Sequence, residues 1–139
     1  MKNKFINIIN TLLEFQEKNP NIYIGGSISL ILQKVIPIRI PKDIDIIAPQ
    51  RTHICEIFHL DKPQHRLFRR YKYNDVLFEL FYNPKAQYIE YTIKNKILKL
   101  SPIDEIFEWK INPPYIFNES TSKKHSKDIK EYNKYLRYK

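Results

Sequence analysis

The chain has 139 residues and only two glycines, and they are adjacent. Gly25-Gly26 falls between the apolar run Ile22-Tyr23-Ile24 and a second apolar segment containing Ile28, Leu30, Ile31 and Leu32. Glycine is the residue that reaches positive φ without steric cost and lets the backbone approach a neighbour or ligand closely. Placing both glycines here predicts a short strand, a sharp turn and a helix. The amides of such a turn, the hydroxyl of Ser27 and the start of the following helix together suit an anionic phosphate. Taken alone, the glycine pair is equally a plain tight turn.

The rest of the chain supplies a sheet and further helices. Phe5, Ile8, Ile9, Leu12 and Leu13 recur at helical spacing until Asn19-Pro20 stops the helix. Asp43 to Ile47 reads as a strand with acids on one face and isoleucines on the other. A helix is expected over about Thr52–Phe58. Hairpins are expected from Arg66–Tyr73 with Val76–Tyr82, and from Tyr88–Ile93 with Ile97–Leu100, the latter turning at Lys94-Asn95-Lys96. Ser101 is placed to cap a helix that has Pro102 at its first position and ends near Lys110. After a loop at 112–121, Ser122 to Tyr138 forms a charged helix that buries Ile129, Tyr132, Tyr135 and Leu136. The expected organisation is one domain over residues 1–139, with a core at about 22–100 and a helical part at 101–139.

Two groups of acids carry the chemistry. Asp43 and Asp45 flank Ile44, so on a strand both carboxylates leave the same face, with Cα atoms about 7 Å apart. Hard oxygen ligands so placed suit Mg2+, which keeps waters and shares its other positions with substrate phosphates. Glu79 sits inside the apolar run Val76 to Tyr82, where an unpaired charge is costly. A metal shared with the aspartates would compensate it, as would Arg66, Arg69 or Arg70 on the preceding strand. His53, Cys55 and His59 fall on different faces of a helix and do not make a zinc site.

Charge and composition narrow the partners. Lysine and arginine number 24 against 15 acids, a formal charge of +9, which favours polyanions such as RNA or tRNA. No apolar run approaches the ~20 residues that span a bilayer, and the N-terminus has no signal-peptide pattern, so no membrane partner is expected. The lone Cys55 cannot form an internal disulfide. These features predict a cytoplasmic protein.

The order of these segments resembles the nucleotidyltransferase superfamily, which includes DNA polymerase β-like enzymes and small toxin-like, AbiEii-like or minimal branches. The family pattern is a strand, Gly-Gly or Gly-Ser, a helix, Asp-x-Asp on the next strand and a third acid on a later strand. Here it reads Tyr23-Ile24-Gly25-Gly26-Ser27, then Lys42-Asp43-Ile44-Asp45, then Phe78-Glu79-Leu80. Leu100-Ser101-Pro102, Trp109-Lys110 and Lys127-Asp128 continue it to about residue 137. Pro41 replaces the usual Ser or Thr, and Glu79 stands where Asp is commoner.

The resemblance implies an α/β (α+β) fold, a mixed sheet flanked by helices with a helical C-terminal part. It further implies transfer of a nucleoside monophosphate from an NTP to a hydroxyl of an RNA or tRNA, protein or small-molecule acceptor, with Mg2+ or Mn2+. By that resemblance Asp43, Asp45 and Glu79 are metal-binding and catalytic. Gly25, Gly26 and Ser27 would hold the triphosphate, and Lys42, Lys110 and Lys127 would neutralise it. The alternative is a catalytically inactive member of the fold serving as a binding or structural part of a toxin–antitoxin or phage system.

Overall fold

A computed structural model of the chain describes residues 2–50, 52–53, 68–112 and 119–138. The N-terminal apolar spacing gives helix α1 (Lys2–Lys18), which buries Ile8, Ile9, Leu12, Leu13 and Phe15. It is followed by β1 (Tyr23–Ile24), α2 (Gly26–Leu32), β2 (Ile44–Ala48), β3 (Phe68–Tyr73) and β4 (Val76–Tyr82). Then come β5 (Ile89–Ile93), β6 (Lys96–Leu100), α3 (Ile103–Ile111) and α4 (Glu119–Arg137). The six strands form one mixed sheet in the order β3-β4-β2-β1-β6-β5. Strand β2 runs antiparallel to β1 and parallel to β4, and β1 runs parallel to β6. The result is the α/β architecture expected, a mixed sheet flanked by helices.

Strand alternation divides the sheet into a packed face and a working face. Ile44, Ile46 and Ala48 of β2 and Val76, Phe78 and Leu80 of β4 join the core under α1, where the Phe15 ring stacks on Phe78 at 4.4 Å. Gln16 pins α1 to the sheet: its amide donates to the Ile22 carbonyl at 2.9 Å, and its carbonyl accepts from the Lys99 amide at 3.0 Å. Asp45 and Ile47, with Glu79 and Phe81, occupy the alternate positions and so share the other face. Parallel register sets Asp45 beside Glu79 and Ile47 beside Phe81. A second apolar cluster joins α2 to the C-terminal helices through Leu30, Ile31, Ile106, Phe107, Ile129 and Tyr132.

Several local expectations change. Strand β2 begins at Ile44, so Asp43 stands just before it. The second hairpin turns on Lys94-Asn95 alone, both at positive φ (52° and 61°), as a two-residue turn of this hand requires. Ser101 is not a helix cap: the residue before α3 is Pro102, no side chain caps the helix, and the Ser101 hydroxyl is buried. Helix α4 starts at Glu119, earlier than Ser122. Leu136 was expected inside but is 48% exposed, because it lies at the helix's last turn, beyond the neighbours that cover Tyr132. Most of the helix expected at Thr52–Phe58, with Cys55, His59 and Arg66, lies outside the described residues. Among the described residues, no helix is long and apolar enough to cross a membrane.

Candidate active site

Gly26 has a φ of +58°, and a Cβ built on it would collide with the Asp45 carboxylate, standing 2.9 Å from its Cγ atom. The turn and the second aspartate are therefore in direct contact. The Gly25 amide donates to the Asp45 carbonyl at 2.8 Å, which ties the turn to β2 through the main chain as well. Ser27, buried at the start of α2, accepts a hydrogen bond from Arg39 Nη2 at 2.8 Å.

The three acids act on one another. Burial, then the charge of Asp43, pushes the Asp45 carboxyl up to about 6, against the pull of Lys110 and Lys124. Burial also raises Glu79, reinforced by a hydrogen bond to Asp43 and by the charges of both aspartates. Two carboxyls can hydrogen-bond only by sharing a proton, so this cluster is short of positive charge. Arg70 supplies part of it: its Nη2 lies 3.4 Å from Glu79 Oε1, with Arg70 64% and Glu79 15% exposed. Of the two compensations open from the sequence, a metal shared with the aspartates or an arginine of β3, the structure shows the arginine, Arg70.

A cleft of about 480 Å3 opens in front of Gly25, Gly26, Ser27 and Asp45. Phe81, Ile106 and Trp109 make its apolar wall, with Trp109 edge-on to Phe81 at 5.9 Å. Lys110, Lys124 and His125 bring polar groups to the same space. Lys110 is buried and its Nζ lies 3.1 Å from Asp128 Oδ2. Asp128, only 1% exposed, also takes a bidentate pair from Arg39, at 2.8 and 3.0 Å. Burial pushes the Asp128 carboxyl up, but Arg39 and Lys110 outweigh it and hold it below its ordinary value. Burial lowers Lys110 and brings the His125 imidazole down to about 4, so His125 is neutral at neutral pH.

Of the residues singled out from the sequence, Gly25, Gly26, Ser27, Asp45 and Lys110 line the cleft; Asp43 and Glu79 do not line it, though Asp43 acts by its charge on Asp45, and both aspartates on Glu79. Lys42 is exposed and is not among the residues lining it. Lys127 is exposed on the opposite flank of Asp128, beside Ile38 and Arg39 in a separate groove. Lys124 and His125 stand in the cleft where Lys127 was expected. Phe81 was legible, being two residues beyond Glu79 on one strand; the Arg39–Asp128 pair was not, because 89 residues separate its members.

The donor set fits a hard divalent cation: carboxylate oxygens only, crowded enough to hold excess protons. Among the described residues no three His, Cys, Asp or Glu side chains form a preformed cage. Mg2+ is ordinarily held by one or two carboxylates and by substrate phosphates rather than by an all-protein cage.

No protein-family model matches the chain. No curated protein matches its sequence. Solved structures do superpose on it. A Thermotoga maritima protein assigned as a nucleotidyltransferase aligns at a TM-score of 0.60 and 12% identity, covering 100% of this chain and 96% of that one. An antigenic nucleotidyltransferase-like protein from Paracoccidioides brasiliensis aligns at 0.57 and 16% identity, covering 94% and 74%. At these identities the likeness is one of fold, and in its elements, their order and their superposition the chain has a nucleotidyltransferase-type fold.

Proposed function

We propose that the protein is a metal-dependent nucleotidyltransferase that moves a nucleoside monophosphate from an NTP to a hydroxyl of an acceptor. The observation that carries this reading is the contact between the Gly26 turn and Asp45, a carboxylate that feels the charge of Asp43 and lies in register with Glu79. A phosphate-suited turn and the proton-hungry Asp45 carboxylate meet at one cleft. That pairing has no evident structural purpose, since three crowded acids weaken a fold.

Asp43, Asp45 and Glu79 would hold the Mg2+ or Mn2+, which supplies positive charge to ionise the carboxyls and to polarise phosphoryl oxygens. The Gly25-Gly26 amides and the Ser27 hydroxyl would orient the triphosphate, with Lys110 and Lys124 offsetting its charge. The acceptor oxygen attacks the α-phosphorus, the bond from that phosphorus to the α–β bridging oxygen breaks, and pyrophosphate leaves. The proton of the acceptor hydroxyl would pass to Glu79, the acid on the strand beside Asp45. Catalysis of this kind rests on positioning and charge, so no covalent nucleophile is needed.

The Arg70–Glu79 ion pair favours a second reading, a non-catalytic binding or structural protein, since Arg70 can neutralise Glu79 without metal. Pyrophosphate release from each of the four NTPs, with Mg2+ and total RNA or cell extract, separates the two. Release that is lost in Asp45→Asn supports transfer; no release from any NTP supports the second reading.

A further inference from the structure

Helix α4 carries Lys123, Lys127, Lys130, Lys134 and Arg137, a spacing of four, three, four and three residues. At 3.6 residues per turn these five fall on one stripe along the helix. All five are exposed, and the stripe runs about 21 Å at 1.5 Å per residue. The opposite face of α4 is occupied, because His125 and Asp128 are buried and Ile129, Tyr132 and Tyr135 pack on the second apolar cluster.

What sets this stripe apart is the alignment of its cations along one helix face, not pairing alone. Lys18 and Lys96 pair with Glu14 and Glu17 on α1, while Arg39 and Lys110 share Asp128. Among the described residues Lys127, Lys130, Lys134 and Arg137 have no ion pair. Unpaired like charges at successive turns repel and destabilise a helix. The same helix delivers Lys124 and His125 into the cleft. The N-terminal end of the ladder, Lys123, thus adjoins the residues of α4 that line the cleft, while Lys127 and Lys130 border the groove on the other flank of Asp128.

We infer that the α4 stripe is a docking track for the phosphate backbone of a single-stranded RNA segment whose terminal hydroxyl is the acceptor. This rests on the transferase reading and narrows its acceptor class. Backbone phosphates are the polyanion that a ladder of separate cations tracks. A single-stranded end with an unstacked terminal base is what folded RNA presents, and the aromatic wall of Phe81 and Trp109 offers that base a surface. An anionic membrane is disfavoured, since interfacial helices bury their apolar face in lipid and the α4 apolar face is already packed inside the protein.

The test is binding of a short fluorescent single-stranded RNA across a salt series, which needs no turnover. Lys130→Gln/Lys134→Gln/Arg137→Gln removes three cations that do not line the cleft. Lys2→Gln/Lys4→Gln/Lys94→Gln removes the same charge elsewhere. The stripe variant is expected to lose tenfold or more in affinity, and its log–log salt slope to fall by about 2. The control should stay within about threefold of the parent, and NTP with Mg2+ should shift the Tm of all three equally, showing that the site is intact. Equal losses in both variants, no RNA binding by the parent, or tighter binding to phosphatidylserine vesicles than to RNA would overturn the proposal. RNA binding through the stripe without transfer from any NTP would refute the transferase reading and leave the docking surface standing.

Discussion

Gly26 shows why a residue's identity can be read through what it excludes. Lys34, Asn74, Asp75, Lys94 and Asn95 all hold positive φ without being glycine, so this chain tolerates side chains in that conformation. At position 26 the requirement is space, because a Cβ there meets Asp45. Gly26→Ala should lose about 2 kcal/mol or more in urea denaturation and fail to gain Tm from NTP with Mg2+. An alanine variant with the parent's stability and NTP response would contradict this.

The titrating residues give a second expectation. Asp45 rises from 3.8 to about 6 on folding, so between those values the folded state holds the extra proton and stability falls as pH rises, by about 3 kcal/mol. Glu79, also raised, prolongs the fall towards pH 8. His125 drops from 6.5 to about 4, so there the unfolded state holds the proton and stability rises with pH, offsetting part of the loss. In EDTA the Tm should therefore decline from about pH 4.5 to 8, more steeply below pH 6.5 in His125→Asn, and millimolar Mg2+ should remove much of the decline. Calorimetry across this range checks it; a Tm in EDTA that climbs with pH would count against the crowded acids.

At the scale of elements, the site depends on how α2, β2, α3 and α4 are held together. Asp128 of α4 binds Arg39 from the segment before β2 and Lys110 from α3, and Arg39 in turn binds Ser27 at the start of α2. Removing Asp128 strands a buried Lys110 and a half-buried Arg39. Asp128→Ala should cost roughly 3 to 5 kcal/mol in chemical denaturation, and a loss under about 1 kcal/mol would show that the network does not set the geometry.

The strands were legible in the sequence because alternation is a local property: Asp45 and Ile47, or Glu79 and Phe81, declare a shared face two residues apart. The glycine turn was legible because no other glycine competes with it. The ends of elements were not, since Ser101 capped nothing and Asp43 fell outside the strand, where tertiary contacts decided the boundary. The choice of Lys124 and His125 over Lys127 depended on how α4 rotates against α3, a packing outcome that no spacing within α4 specifies.

Over the whole molecule, one side of the sheet packs on α1 and the other faces the cleft. Helix α1 closes the first, with Phe15 on Phe78, and the C-terminal helices stand over the second without filling it. Asp45, the turn and the buried Lys110 meet at the cleft from segments spread between residues 25 and 125, an arrangement built by the fold rather than by a local motif. The reaction proposed for it is transfer of the α-phosphoryl group with its nucleoside. The most direct measurement uses NTPs labelled at the α- or the γ-phosphate, with Mg2+ and RNA, comparing the parent with Asp43→Asn/Asp45→Asn/Glu79→Gln. The parent should move the α-label, and never the γ-label, onto the acceptor, and the triple variant should move neither. Acceptor carrying the γ-label, or α-label transfer that survives in the triple variant, would contradict it.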